Sequence, residues 1–465
     1  MSYNQPPYYQ NSQYGAPPNN QGRLSPGGFH MPTSNPPSSL PYSYPASSYQ
    51  ASSPFRDGYA PSYLPPPTSQ LYGYSSSDPP PPPSFSTYPG APPSNQYVPF
   101  PQQAVVIHYR NAPVPAPVGY ELPPQSDIAP GYDPTMDIDK IRQATKGIGT
   151  DEAALSAVLA HLGSLPMASL SAAFKARTGK SLTEVLNNES SAYFGLVLHQ
   201  AITSSSQKLS LFREILHGLV LGPLWYDVEL VQSAIKGAGT DELLMIEIIA
   251  DLTPSDRQNL SIAYRMRYGR DLQTDIRGDL NAKTERLYTM LLSASLPPDN
   301  SPVDFQQVQN DVKALYKAGQ GKIGTDEITF CDIIINRSKS HLAALCDAYG
   351  RKYKSLTKVI KSEFSAHMRQ TLLFIVDGAK SKHAIEFGPG VWRDAKLLEK
   401  SMKGFGTKDK QLIRRIVRYH WDKPRFEAMK AAYQKKYRKP LESRIAGETS
   451  GDYKKLLVAI VKGDH

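Results

Sequence analysis

Four short glycine-rich segments are the residues in this chain whose types and spacing could do chemistry. They read KGIGTDE, KGAGTDE, GKIGTDE and KGFGTKD, and they begin at Lys146, Lys236, Gly321 and Lys403. Aligned on their threonines, the four segments recur at nearly regular intervals along the chain. An acidic residue follows each threonine at a similar distance; these acids are Glu189, Asp279, Glu363 and Glu448. A tight turn explains the glycines, but it does not explain why the spacing to an acid is almost the same in four copies.

A glycine-rich turn together with one carboxylate has the donor chemistry of a calcium site. Ca²⁺ takes about six to eight oxygen ligands in flexible geometry and accepts backbone carbonyls readily. One bidentate carboxylate supplies two oxygens, and the accessible carbonyls of the turn supply others. Because a single negative charge leaves such a site near +1, an anionic headgroup would complete it. Calcium and lipid affinities must then rise together.

Amphipathic helices are predicted to position these turns. From about Tyr132 the helical period is sustained, as in Met245, Ile248, Ile249 and Leu252, which fall on one helix face. β-branched alternation is scarce, so the body is predicted to be all-α. Each unit holds about 70 residues and five helices, with the glycine turns and acids at helix junctions. Threonine before Asp-Glu predicts a helix start that the hydroxyl caps.

Composition separates a basic body from a different N-terminal region. The chain has 465 residues and a net charge of +10, of which residues 131–465 carry +11 and residues 1–130 carry −1. A basic body favours polyanions, either nucleic acid or anionic lipid surfaces. Cys331 and Cys346 match no zinc or redox spacing. With no signal peptide and no apolar stretch long enough to span a bilayer, the expected location is the cytoplasm, peripherally on membranes when calcium is present.

Residues 1–130 are predicted to form a disordered tail. They contain 31 of the 41 prolines and 15 of the 28 tyrosines, and such a segment buries too little apolar area to offset its ordering entropy. PPYY at residues 6–9 fits the PPxY pattern that WW domains read. WW-type or calcium-sensor domains are therefore the candidate protein partners of the tail.

The four units, each with GxGT and a carboxylate at a nearly constant spacing after it, resemble the annexin family over roughly residues 135–463. The tail is similar to those of long-tailed annexins. The resemblance implies four five-helix repeats in a curved disc, at 131–204, 225–297, 305–380 and 392–465, with calcium loops on the convex face. It also implies calcium-dependent, reversible binding to acidic phospholipid membranes, without catalysis. Lateral self-association on membranes is a further hypothesis.

Carried over copy by copy, the resemblance implies one Ca²⁺ site per repeat, formed by loop carbonyls and one acidic side chain. The first three sets are Thr145, Gly147, Gly149 and Glu189; Ile235, Gly237, Gly239 and Asp279; and Gly319, Lys322, Gly324 and Glu363. The fourth set is Met402, Gly404, Gly406 and Glu448. Sites two and four are expected to fit the family pattern best and site three least, because the third loop is one residue longer. Lys408 replaces aspartate in copy four, which predicts a weakened helix start.

Other classes of function fit the sequence less well. The GxG turns have no third glycine and no preceding strand, and GQGK at 319–322 departs from a P-loop, so a nucleotide-using enzyme is not predicted. Calcium-independent binding of RNA or another polyanion by the basic body is one alternative, although no specific nucleic-acid motif is present. A scaffold organised by the tail is the other. A chelator separates the lipid and RNA hypotheses, since charge-driven RNA binding does not need calcium.

Overall fold

The computed structural model describes residues 105–117, 128–146, 149–187, 204–236, 240–279, 282–298, 300–321 and 323–463. The prediction of a disordered tail over residues 1–104 and 118–127 lies outside this part of the chain. The described body is helical, which confirms the all-α prediction for it. Among the described residues, no helix is long and apolar enough to cross a membrane.

A β-hairpin precedes the helices. Strand β1 (Val106–Tyr109) pairs antiparallel with β2 (Ala112–Pro115). The two turn residues, Arg110 and Asn111, have φ angles of 51° and 66°, the left-handed backbone that a two-residue hairpin turn requires. The prediction that all of residues 1–130 are disordered is therefore wrong for 105–117. The prediction rested on the composition of the whole region, which is rich in proline, and so it missed a short apolar segment that packs against the helical body.

Twenty α-helices follow the hairpin in the described residues. With α5 divided between two groups and the short α15 left outside them, they form four groups of five. The first group comprises α1 (Thr135–Ala144), α2 (Glu152–Leu159), α3 (Ser164–Thr178), α4 (182–187) and the first half of α5 (Ser204–Ile235). The second comprises the other half of α5, then α6 (Glu242–Ile249), α7 (Pro254–Tyr268), α8 (Leu272–Asp279) and α9 (Ala282–Ser293). The third comprises α10 (Phe305–Ala318), α11 (Glu327–Ile335), α12 (Lys339–Lys352), α13 (Leu356–Glu363) and α14 (Ala366–Ala379). After the short α15 (Ala384–Phe387), the fourth comprises α16 (Val391–Met402), α17 (Asp409–His420), α18 (Lys423–Tyr437), α19 (Leu441–Glu448) and α20 (Gly451–Lys462).

A kink divides α5 between the first and second repeats. Gly222 has φ 71° and ψ 174°, which is not helical, and Pro223 follows it. Proline has no N–H to continue the helical hydrogen bonds, and the left-handed φ favours glycine. The last helix of repeat one is therefore connected directly, through this kink, to the first helix of repeat two.

Two hydrophobic cores hold the repeats in pairs. Repeats two and three share one core, and repeats one and four share the other. The aromatic residue that recurs after each loop threonine is fully buried in every copy; these residues are Phe174, Tyr264, Tyr349 and Tyr433. The hairpin contributes Tyr109 and Val114 to the first core and Ala112 to the second. It therefore joins both cores.

Polar contacts anchor the hairpin turn to repeat two. The Tyr109 hydroxyl donates to Asp227 Oδ2 at 2.8 Å, and Arg110 Nε donates to the same oxygen at 2.6 Å. The Arg110 backbone N–H donates to Asp256 Oδ1 at 3.0 Å. Burial disfavours the charged guanidinium, but attraction to Asp227 outweighs it and raises the pKa of Arg110. The hairpin is thus held by a buried ion pair as well as by apolar packing.

We predict that Arg110→Ala lowers the free energy of unfolding by about 3 kcal/mol, because it leaves a buried carboxylate without its main cationic partner. This loss is at the lower end of the range for breaking a buried ion pair, because Asp227 still accepts the hydrogen bond from the Tyr109 hydroxyl. Urea unfolding followed by circular dichroism measures it. His108→Ala, an exposed change two residues earlier, is the matched control. Equal stability of the two variants would contradict the anchoring role.

Candidate functional site

The same backbone hydrogen bond closes each of the four glycine loops. The residue after the loop threonine donates its N–H to a carbonyl near the end of the preceding helix, at 2.7 to 2.9 Å. The donor and acceptor pairs are Asp151 and Ala144, Asp241 and Ala234, Asp326 and Ala318, and Lys408 and Ser401. These bonds enclose residues 145–150, 235–240, 319–325 and 402–407. The third loop is one residue longer than the others, as the sequence indicated.

Glycine is required in these loops by backbone conformation. Directly before the threonine, Gly149, Gly324 and Gly406 have φ angles of 98°, 82° and 84°, and Gly404 has 121°. L-residues rarely adopt such angles. Among the described atoms, nothing lies within 4 Å of a Cβ built at any of the four. The turn therefore selects glycine for its dihedral angles and leaves the loop backbone open to approach.

Aspartates cap the helices that follow the loops. Backbone N–H groups donate at 2.9, 3.0 and 3.1 Å from Ala154 to Asp151, from Leu244 to Asp241 and from Thr329 to Asp326. The prediction that the threonine hydroxyl caps these helices is wrong, because the charged acceptor one residue later takes that position. In the fourth copy Lys408 stands at the N-cap. Its side chain has no acceptor and makes no cap hydrogen bond; that the helix start is weakened stays a prediction.

The threonine hydroxyl instead reaches the remote acid. Thr325 Oγ1 donates to Glu363 Oε2 at 2.9 Å. In the fourth copy Thr407 Oγ1 lies 3.4 Å from Glu448 Oε2 and 3.3 Å from the Glu448 carbonyl oxygen. Both acids are the last residues of their helices, α13 and α19. In these two repeats the structure therefore brings the glycine loop and the distant acid of the pattern to one place.

The first two loops are described in part. Thr145 directly follows α1 and donates its hydroxyl to the Ile141 carbonyl at 2.8 Å, and Ile235 is the last residue of α5. Asp279 ends α8, which is the position of Glu363 and Glu448 in their helices. Its side chain is not among the described atoms. Gly147, Glu189, Gly237, Gly239 and Lys322 are predicted site residues that lie outside the described residues.

The residues present fit a calcium ion. Each described loop offers open backbone at left-handed glycines and one adjacent carboxylate, and Ca²⁺ accepts such mixed oxygen donors. Among the described residues, no three His, Cys, Asp or Glu side chains gather as a metal cluster. A zinc ion needs several nitrogen or sulfur ligands in tetrahedral geometry, and these loops do not provide them. Most ligands of any bound cation would have to be carbonyl oxygens.

Sequence reasoning missed one residue at the fourth loop. Arg444 Nη2 donates to the Met402 carbonyl at 2.8 Å, and Arg444 Nη1 contacts Glu448 Oε1. Its guanidinium thus contacts two of the groups that are predicted to be calcium ligands. The i, i+4 spacing of Arg444 and Glu448 on α19 predicts an ion pair. That spacing does not reveal that the same guanidinium also reaches a carbonyl of another helix.

Apolar side chains project from the tips of the third and fourth loops. Ile323 and Phe405 occupy the variable position of GxGT, and both are fully exposed. A single exposed apolar residue needs no explanation. Here, however, the same loop position is exposed and apolar in two repeats, beside the carboxylates described above.

Comparisons with known proteins agree with this geometry. The family model described as Annexin matches residues 136–200, 226–291, 310–375 and 393–460, more than half of the chain. Annexin C1 of Cryptococcus neoformans var. grubii is 42% identical over 358 residues, which span 76% of this chain and 70% of that protein. Annexin A4 of Mus musculus is 35% identical over 338 residues, which span 72% of this chain and 97% of that protein.

A solved structure of annexin III superposes with a TM-score of 0.62 at 27% identity, over 72% of this chain and 96% of that one. Each matched segment corresponds to one of the four helical groups and contains one glycine heptapeptide and its acid. The chain therefore belongs to the annexin family, whose members are known for calcium-dependent binding to phospholipids.

Proposed function

We propose that this protein binds acidic phospholipid membranes peripherally and reversibly, through calcium ions held in its glycine loops. The observation that carries the proposal is the contact between loop and remote acid, at 2.9 Å between Thr325 and Glu363. This contact places a carboxylate oxygen beside the open loop backbone, where a cation could bridge loop, acid and lipid phosphate.

The proposed ligands are loop carbonyls and one carboxylate in each repeat, as the family resemblance implies. They are Thr145, Gly147, Gly149 and Glu189; Ile235, Gly237, Gly239 and Asp279; Gly319, Lys322, Gly324 and Glu363; and Met402, Gly404, Gly406 and Glu448. When bound, the ion supplies the positive charge that a lipid phosphate completes. The chain's own residues position the oxygens: the glycines orient the carbonyls and the helix ends present the acids.

Two further features support a membrane as the surface that these loops meet. Ile323 and Phe405 are apolar and fully exposed at the loop tips, where they would enter the interfacial region of a bilayer. Lys146, Lys236 and Lys403 are the second residues of three of the loops and would attract lipid phosphates, at about 1 kcal/mol for each charge near the surface.

The remaining proposals concern location and partners. We place the protein in the cytoplasm, peripherally on membranes when calcium is present. Residues 1–104 would serve partner binding or self-association, with WW-type or calcium-sensor domains as candidate partners. Catalysis and specific recognition of nucleic acid are not part of the proposal.

We predict that the double variant Asp279→Asn with Glu448→Gln raises several-fold the calcium concentration needed for half-maximal binding to acidic vesicles. Each change removes a charged ligand and keeps its shape. Vesicle co-sedimentation across a calcium series measures the effect. The control is Glu427→Gln with Asp452→Asn, which removes two exposed acids that are paired with neighbouring lysines. Equal calcium requirements for the two double variants would count against these ligands, and sedimentation that survives a chelator would favour calcium-independent polyanion binding.

Ile323→Ala together with Phe405→Ala should weaken vesicle binding at a fixed calcium concentration by at least tenfold. Burying a large apolar side chain contributes about 1.5 to 3 kcal/mol, and two tips would be lost. Calcium binding without vesicles should stay unchanged, because neither side chain is a proposed ligand. Ile385→Ala is the matched control, since Ile385 is equally exposed but lies outside the four loops. If the control weakens vesicle binding as much, the loop tips have no special role.

Deleting residues 1–104 should change vesicle aggregation, self-association or partner choice more than it changes the calcium requirement. The deletion stops at 104 because residues 105–117 form the hairpin that joins both cores. Turbidity of mixed vesicles and co-sedimentation report the two properties separately. A large shift in calcium requirement with unchanged aggregation would reverse this division of labour.

A further inference from the structure

The guanidinium of Arg444 lies where the fourth loop would hold a calcium ion. It contacts Glu448 Oε1 through Nη1 and the Met402 carbonyl, at 2.8 Å, through Nη2. A carboxylate and a loop carbonyl are the two kinds of donor assigned to calcium in each repeat. The fourth site therefore already has a cation bound to it, and this cation belongs to the protein.

No other repeat places a positive charge at the corresponding position of the sequence. Four residues before the acid, the first three copies have Val185, Asp275 and Val359, whereas the fourth has Arg444. Among the described residues, the third site shows what surrounds the acid when no arginine is present. There, Glu363 accepts from the hydroxyls of Thr325, at 2.9 Å, and Ser362, at 3.3 Å. Neutral hydroxyls can stay beside a carboxylate that ligates a metal, but a guanidinium repels the metal.

A second acid can pair with the Arg444 guanidinium when it leaves the calcium site. Glu399, on α16, lies 3.3 Å from Arg444 Nε and 3.5 Å from Nη2. The same carboxylate accepts from the Tyr433 hydroxyl, which fixes its position. The guanidinium can therefore give up Glu448 and Met402 and keep a charged partner. Because of Glu399, displacement leaves no partly buried charge unpaired.

We propose that Arg444 is a tethered competitor of calcium at the fourth loop: it occupies the site in metal-free protein, and Ca²⁺ binds there only as the guanidinium leaves Met402 and Glu448 and keeps its contact with Glu399. The inference rests on the proposed function, because it takes Met402 and Glu448 as calcium ligands. It adds that the fourth loop has a lower calcium affinity than its own oxygen donors would give. This loop would fill at higher calcium concentration than an otherwise equal loop without the arginine.

Calorimetric calcium titration of the full chain without lipid tests this proposal. Arg444→Gln should tighten one calcium site roughly tenfold, because it removes a unit charge a few ångströms from the ion. Arg438→Gln removes an equal charge six residues earlier, from an exposed residue directly after α18, and should change little. The gain should vanish in the double variant Arg444→Gln with Glu448→Gln. Thermal unfolding gives an independent readout: Arg444→Gln should lower the melting temperature of metal-free protein and enlarge the increase that calcium produces.

The outcomes separate the two proposals. If Glu448→Gln weakens one site while Arg444→Gln leaves affinity unchanged or reduces it, the competitor role is overturned and the calcium site stands. If Arg438→Gln tightens binding as much as Arg444→Gln, the effect is general electrostatics and the inference is again overturned. If Glu448→Gln and Arg444→Gln both leave calcium binding unchanged, the ligand assignment at the fourth loop fails, and the inference fails with it.

Discussion

The contact between a loop threonine and the distant acid of the same repeat is the interaction on which the site depends. The Thr325 hydroxyl can donate to Glu363 only if α13 ends beside the loop that precedes α11. Burial of Leu356, Val359 and Ile360 fixes one face of α13 against the core, and this places its last residue at the loop. The hydrophobic core therefore positions the charged group, although no core residue takes part in the chemistry.

In the third repeat, three neighbouring residues of the heptapeptide have three different roles. The glycine before the threonine supplies a left-handed backbone, the threonine hydroxyl turns toward the acid, and the following aspartate caps the next helix. From the sequence alone, Thr325 and Asp326 are both reasonable caps, since either side chain can accept a hydrogen bond. The aspartate takes this role in the structure, which leaves the threonine available to hold the carboxylate. At the fourth loop, Lys408 removes the cap but leaves the contact between threonine and acid.

The sequence was sufficient for the features that repeat. A residue that recurs at the same position in four copies is rarely there by chance. The period, the helical groups and the contact between loop and acid could therefore be predicted. Features that occur only once in the chain could not be predicted in this way. The hairpin at 105–117 lies within a proline-rich region, and its anchor, Arg110 on Asp227, joins residues 117 positions apart. Arg444 was missed for the same reason: its pairing with Glu448 is local, but its contact with the Met402 carbonyl depends on how α19 packs beside α16.

These single features distinguish the third loop from the fourth, and the contacts at the two loops differ from what their fit to the family pattern suggested. The third loop departs most from the family pattern in length, yet its carboxylate is held by neutral hydroxyls. The fourth loop matches the pattern closely, yet a guanidinium lies on its donors. Pattern matching counts the ligands of a site, whereas affinity also depends on which other cation those ligands already hold. If Arg444 competes as proposed, the protein would engage a membrane first through loops without an internal cation, and the fourth would join as calcium rises.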